Sequence, residues 1–184
     1  MTRRLVPVFD LDGTLLDSDD ALVAPFLALG ISREAITFGP PVAIECERLG
    51  VAMADYVSLY DPAAARPFDG VADLLHGLDR WAVCSNKHPA QAAADLALWG
   101  WQPDIAMFSD AFDWQPKRLE PVLERLGLAA HDVVYVGDSH HDRACAMEAG
   151  VAFVLAGWNP RTVARDDDVV AARPGDVAAL LAAG

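Results

Sequence analysis

Short apolar runs alternate with longer stretches of helical spacing along most of this chain. Residues 5–9, 81–85, 105–109, 133–136 and 151–155 are the apolar runs. Between them, residues 70–78, 89–99, 116–126 and 140–149 carry helical patterns, and residues 177–182 read as a closing helix. Strand and helix in regular alternation predict an α/β fold, a mostly parallel sheet with helices on both faces. Pro7 sits awkwardly in the first run, because a central strand loses a ladder hydrogen bond at proline. Residues 18–66 break the alternation. Helices are expected at 21–29, 42–49 and 53–60, punctuated by Gly39-Pro40-Pro41 and Asp61-Pro62, with no strand among them. The expected organisation is a core of residues 1–17 and 67–184 with a small all-helical insertion, 18–66, placed directly after the first strand.

Ligands in open parallel sheets bind beyond the carboxyl ends of the strands, so the residues there carry the chemistry. The first run ends in Asp10-Leu11-Asp12-Gly13-Thr14. Extended backbone repeats every two residues, which lets Asp10 and Asp12 face the same way, and Gly13 permits a sharp turn. Asp-Gly is also an ordinary turn pair. The fourth run ends in Gly137-Asp138-Ser139-His140-His141-Asp142, where Asp138 or Ser139 equally suits a helix N-cap. Two acidic strand ends in one sheet repel each other unless a cation joins them. Oxygen ligands favour a hard divalent ion, and Mg²⁺ fits a site with few carboxylates plus water and phosphate.

Composition sharpens this picture. The chain has 184 residues, 53% hydrophobic and 22% charged, with a formal net charge of -13. That balance argues against nucleic acid and anionic membrane as partners, since both call for a basic face. It leaves room for a small phosphorylated metabolite held by a few placed cations. Of 14 basic residues two are lysines, Lys87 and Lys117, and each falls beside a predicted strand end, Lys117 opening the helix before the fourth strand. A lysine supplies a compact point charge that a planar guanidinium does not replace. Ser85 can donate a hydroxyl hydrogen bond and the backbone N–H groups after it can cradle an anion, although Ser85-Asn86 also reads as a cap for the helix at Pro89. Cys46, Cys84 and Cys145 form no CxxC pair and read as small reduced core residues. No run is long enough to span a bilayer. The basic Met1-Thr2-Arg3-Arg4 is followed by early acids and no cleavage signature, so a cytoplasmic monomer or homodimer is the expectation. His88, His140, His141, Trp114 and Trp158 read as packing or surface residues.

The four segments DLDGT at 10–14, SNK at 85–87, Lys117 and GDSHHD at 137–142 occur in the order found in the haloacid dehalogenase superfamily of hydrolases, and the chain resembles that superfamily over nearly its whole length. The helical insertion after the first motif is similar to the cap of its phosphoglycolate-phosphatase-like branch. The resemblance implies a Rossmann-like core, a mobile helical cap and Mg²⁺. It implies that Asp10 is a nucleophile and metal ligand, and that Asp12 is a general acid/base whose carbonyl also touches the metal. Ser85, Asn86 and Lys117 would then hold phosphoryl oxygens, Asp138 would ligate the metal, and Asp142 would support it. The third motif reads Gln115-Pro116-Lys117 where the branch often has Lys-Pro, which keeps Lys87 in play beside Lys117 as phosphate clamp. The function implied is Mg²⁺-dependent hydrolysis of a phosphate monoester through an aspartyl-phosphate. A phosphoryl-transfer enzyme on the same scaffold and a non-catalytic binding domain remain alternatives. A dehalogenase needs neither metal nor an acid at Asp12.

Overall fold

The computed structural model describes residues 5–183. The basic run Met1–Arg4, the start of the expected core, and Gly184 lie outside the described residues. Six strands form one parallel sheet: β1 (Val6–Phe9), β4 (Ala82–Cys84), β5 (Ile105–Met107), β6 (Val133–Gly137), β7 (Ala152–Ala156) and β8 (Val169–Ala171). Their order is β5-β4-β1-β6-β7-β8. The chain runs outward from β1 through β4 to β5, then returns to the other side of β1. The winding therefore reverses at β1, and the crevice beyond its carboxyl end is where such a sheet takes a ligand.

Side-chain alternation builds the two layers. Val8, Ala82, Cys84 and Tyr135 face one side, against Val122 and Leu126 of α6 (Glu120–Leu126) and Ala146 of α7 (His140–Glu148). Phe9, Val83, Val134 and Val136 face the other. There they meet Leu74 of α4 (Val71–His76), Ala92 of α5 (Pro89–Trp99) and Leu181 of α8 (Pro174–Ala183). Cys46, Cys84 and Cys145 are free, buried thiols. Among the described residues no helix is long and apolar enough to cross a membrane.

Pro7 does lie in a central strand, and the sheet accommodates it. The Asp10 N–H points to Val136 of β6. Backbone groups in a strand alternate in direction, so Pro7 faces β4, whose pairing with β1 begins one residue later at Val8–Ala82. The missing donor falls where the neighbouring strand has not yet started.

The stretch after β1 contains α1 (Asp19–Ala28), α2 (Val42–Leu49) and α3 (Met53–Ser58). They pack around Phe26, Cys46 and Tyr56, a small cluster of their own. A two-residue antiparallel ribbon stands at their base, Leu16 and Asp17 of β2 (Leu16–Asp17) against Pro67 and Arg66 of β3 (Arg66–Pro67). The sequence did not predict this ribbon, which closes the segment at its two boundaries; only Arg66 falls within residues 18–66. Two further corrections apply. The strand β8 was not expected: its apolar run, Val169-Val170-Ala171-Ala172, is short and follows an acidic loop, and two of the three strand residues are exposed. The helix expected from residue 116 begins at Glu120, because the Lys117 N–H donates to Asn86 Oδ1 at 2.8 Å and holds that segment out of the helix.

The centre of the sheet should carry the stability. Phe9 is fully buried, with its ring 6.2 Å from Trp81 in an edge-on contact. Phe9→Ala should cost about 3–5 kcal/mol of unfolding free energy, measured by urea denaturation; a loss below about 1 kcal/mol would contradict this packing.

Candidate active site

Asp10 follows β1 directly, and Gly13 then turns the chain with φ +75. A Cβ at Gly13 would stand 2.3 Å from Asp138 Oδ2. Only glycine lets the first loop pass this close to the carboxylate of the other strand end. Asn159 fixes that approach by donating to both Gly13 O (2.8 Å) and Asp138 Oδ2 (2.9 Å).

Ser139 caps α7, as the local sequence allows, and Asp142 completes a reciprocal capping box. Asp142 Oδ2 accepts from the backbone N–H groups of Asp138 (3.1 Å) and Ser139 (2.9 Å) and from Ser139 Oγ (2.6 Å). Its Oδ1 accepts from Tyr135 OH at 3.2 Å and lies 2.5 Å from Lys117 Nζ. Both Asp142 oxygens are thus engaged, which suits support of neighbouring groups better than direct metal ligation. Burial pushes the Asp142 pKa up, but Lys117 and the Ser139 hydrogen bonds outweigh it and hold the carboxyl below its ordinary range.

Lys117 also contacts Asp10 Oδ1 at 2.8 Å. The lysine is buried; desolvation would lower its pKa, yet Asp10 and Asp142 raise it, so it stays charged. Asp10 is pushed up to about 6, chiefly by burial, against the pull of Lys117 and with a further push from Asp142. Asp138 rises to about 8, again chiefly by burial, then by Asp142 and Asp10.

Carboxylate oxygens of Asp10, Asp138 and Asp142 lie within 4.8 Å of one another. The donors are hard oxygens, two of the three carboxyls are raised by burial and further by their neighbours' charge, and a divalent cation would offset both. The residues therefore fit Mg²⁺. His140 and His141 stack on each other with ring centroids 3.9 Å apart, and His88 accepts from Ala90 N–H while its ring lies 5.4 Å from Trp114. Trp158 donates to Thr14 O.

The second lysine does a different job. Lys87 Nζ sits between Asp12 Oδ1 (2.5 Å) and Asp95 Oδ2 (2.8 Å), and Tyr60 OH donates to both Asp95 oxygens. Lys87 anchors Asp12, whereas Lys117 reaches Asp10. Asn86, expected near phosphate, uses its side chain as a bridge: Oδ1 accepts from Lys117 N–H, and Nδ2 donates to Gly39 O of the helical segment at 2.7 Å. Ser85 is buried with its hydroxyl near the Lys87 N–H at 3.4 Å.

A cavity of about 140 Å³ joins these groups to the helical segment; Asp10, Asp12, Ser85, Asn86, Lys117 and Asp138 all line it. Sequence reading missed Arg161, which also lines it and pairs with Asp19 at 2.6 Å. It missed Asp95 and Asn159 as well. All three lie outside the strand ends, on a helix or a late loop, where no local pattern marks them. Arg33 and Arg48, the basic residues of the insertion nearest to notice, pair with Asp20 and Glu45.

A parallel α/β sheet whose strand ends converge on carboxylates and a buried lysine defines the class of fold and site, and comparison supplies the family. The haloacid dehalogenase-like hydrolase model matches residues 44–156. The chain belongs to that family. It is 30% identical over 191 residues to a phosphoglycolate phosphatase of Xanthomonas campestris pv. campestris, covering 88% of this chain and 86% of that protein. It is 25% identical to the pyrophosphatase PpaX of Halalkalibacterium halodurans, covering 82% of each. A haloacid dehalogenase-like hydrolase from Streptococcus pneumoniae superposes with a TM-score of 0.76 at 23% identity, over 98% of this chain and 99% of that one.

The Lys87 network yields a test of the site's electrostatics. Asp95→Ala leaves a fully buried ammonium with one carboxylate fewer, and should destabilise the protein by about 3 kcal/mol or more, read by urea unfolding. A neutral result would show that Asp95 does not balance Lys87.

Proposed function

We infer that the protein is a Mg²⁺-dependent phosphatase that hydrolyses the phosphate monoester of a small metabolite through a phosphoryl group carried on Asp10. The observation that carries this reading is Asp10 itself: a buried carboxylate at the switch point of the sheet, with Lys117 on one side and Asp138 on the other. Phosphatases and pyrophosphatases among its relatives support the same class.

Asp10 Oδ attacks phosphorus and the ester oxygen leaves, protonated by Asp12. Asp12 then takes a proton from the water that attacks the acyl phosphate, which restores Asp10 and frees phosphate. Ser85 and Lys117 hold the equatorial oxygens. Asp142 keeps Lys117 in place and leaves Asp10 and Asp138 as the carboxylates facing the metal. When bound, Mg²⁺ supplies charge that offsets the approach of a phosphate dianion to a carboxylate. Residues 18–66 act as the cap over the cavity, with Asn86 tying its Gly39 loop to the core. The Asp12–Lys87 pair favours this reading over a dehalogenase, whose chemistry has no use for a second acid held in place.

Asp10→Asn should lower kcat by roughly 10⁴-fold or more while the far-ultraviolet circular dichroism is unchanged. Substantial turnover by this variant would remove Asp10 as the nucleophile.

The raised carboxyls set a pH dependence that needs no turnover to read. The folded, metal-free protein keeps protons on Asp138 and Asp10 up to about 8 and about 6, whereas the unfolded chain loses them near the ordinary aspartate value of 3.8. The unfolded state binds fewer protons in that window, so these groups make stability fall as pH rises through it. Mg²⁺ competes with those protons and should bind more tightly as they leave. The increase in Tm caused by Mg²⁺ should therefore be larger at pH 8 than at pH 6. An equal or smaller increase at pH 8 would contradict the assignment of these carboxyls to the metal.

A further inference from the structure

The cavity wall holds a buried amide without a well-formed hydrogen bond. Gln91 lies in the first turn of α5, is only 2% exposed, and lines the cavity. Neither its Nε2 nor its Oε1 makes a hydrogen bond of normal geometry. Its neighbour Tyr56 donates its own hydroxyl to Leu22 O at 3.0 Å. A buried amide without a well-formed hydrogen bond is costly to the fold, and it persists here at the wall of the space a substrate would fill. Apolar side chains of the helical segment also line the cavity: Leu22, Phe26, Ile36, Phe38 and Val42.

Charge in the cavity runs against a second anion. Glu45 lines the same cavity and is buried; burial pushes its carboxyl up, but Arg48 and Thr37 more than offset this and hold it ionised. Thr37 donates to it through N–H (2.6 Å) and Oγ1 (2.8 Å). The cations of the cavity are already paired: Lys87 with Asp12 and Asp95, Lys117 with Asp10 and Asp142, Arg161 with Asp19. Burial depresses His88 and His141, which keeps both neutral.

We propose that Gln91 is a specificity-determining residue that reads the leaving group, and that it selects an uncharged alcohol carrying a further hydroxyl over one carrying a carboxylate. A hydroxyl both donates and accepts, so one such group satisfies the Oε1 and Nε2 of a single amide. A carboxylate only accepts. It would leave Oε1 unpaired and bring a second negative charge into a cavity whose cations already face carboxylates. An alkyl group would leave the whole amide unpaired. This inference rests on the phosphatase reading above.

The test compares kcat/KM of the full chain with Mg²⁺ on glycerol phosphate, ethyl phosphate and phosphoglycolate, for the wild type, Gln91→Leu and Gln91→Met. The wild type should favour glycerol phosphate over each of the others by about tenfold or more, the scale of the penalty for leaving a buried polar group unsatisfied. In both variants the glycerol-to-ethyl ratio should fall toward one, and Tm should stay equal or rise, because an unpartnered buried amide has been removed. A wild-type preference for phosphoglycolate, or survival of the ratio in both variants, would overturn the proposal. So would a lower Tm in both, which would make the amide structural. Turnover with the wrong preference defeats the specificity alone. Absence of turnover on all three esters and on p-nitrophenyl phosphate defeats the phosphatase reading, and the specificity falls with it.

Discussion

The buried ammonium of Lys117 allows the site to exist. It stands 2.8 Å from Asp10 and 2.5 Å from Asp142, at the ends of the two adjacent strands β1 and β6. Without it, three carboxyls converging within 4.8 Å in a water-poor crevice would repel one another and take up protons. Even with it, Asp138 stays pushed up to about 8. One fixed cation neutralises part of the cluster and leaves a deficit of positive charge. That deficit suits a divalent ion, and a second lysine would remove it. Lys87 is kept away from the cluster by Asp95, and holds Asp12 instead.

The framework was legible because each core strand is a short apolar run ending at a change of composition. Periodicity found β1, β4, β5, β6 and β7 and the helices between them. The ribbon of β2 and β3 was not legible, since two residues carry no alternation. Nor was β8, whose apolar run of four residues is short and directly follows three aspartates. The late start of α6 followed from a long-range bond between Lys117 N–H and Asn86, which spacing along the chain does not encode. The strand-end acids could be read from sequence, because strand ends in a parallel sheet share one edge. Arg161, Asn159 and Asp95 could not, because they reach the site from loops and a helix whose packing alone directs them.

The helical segment and the core meet through few polar contacts, and these are specific. Asn86 donates to Gly39 O, and a Cβ on Gly39, at φ +101, would fall 2.3 Å from the His141 ring. Arg161 reaches from the loop after β7 to Asp19 at the start of α1 and lies over the Phe38 ring at 5.1 Å. The same asparagine that bridges to the Gly39 loop also holds the backbone of Lys117. The position of the helical segment and the placement of the buried cation are therefore mechanically linked through one side chain, which gives Asn86 a reason to be where it is other than touching phosphate.

The central claim is that a phosphoryl group passes through Asp10. Acid quenching during turnover, followed by borohydride reduction and peptide mass spectrometry, reads it directly, since reduction of an acyl phosphate converts that aspartate to homoserine. The account predicts homoserine at position 10 and nowhere else. Reduction at Asp12 or Asp138, or no reducible acyl phosphate in an enzyme that is turning over, would contradict it.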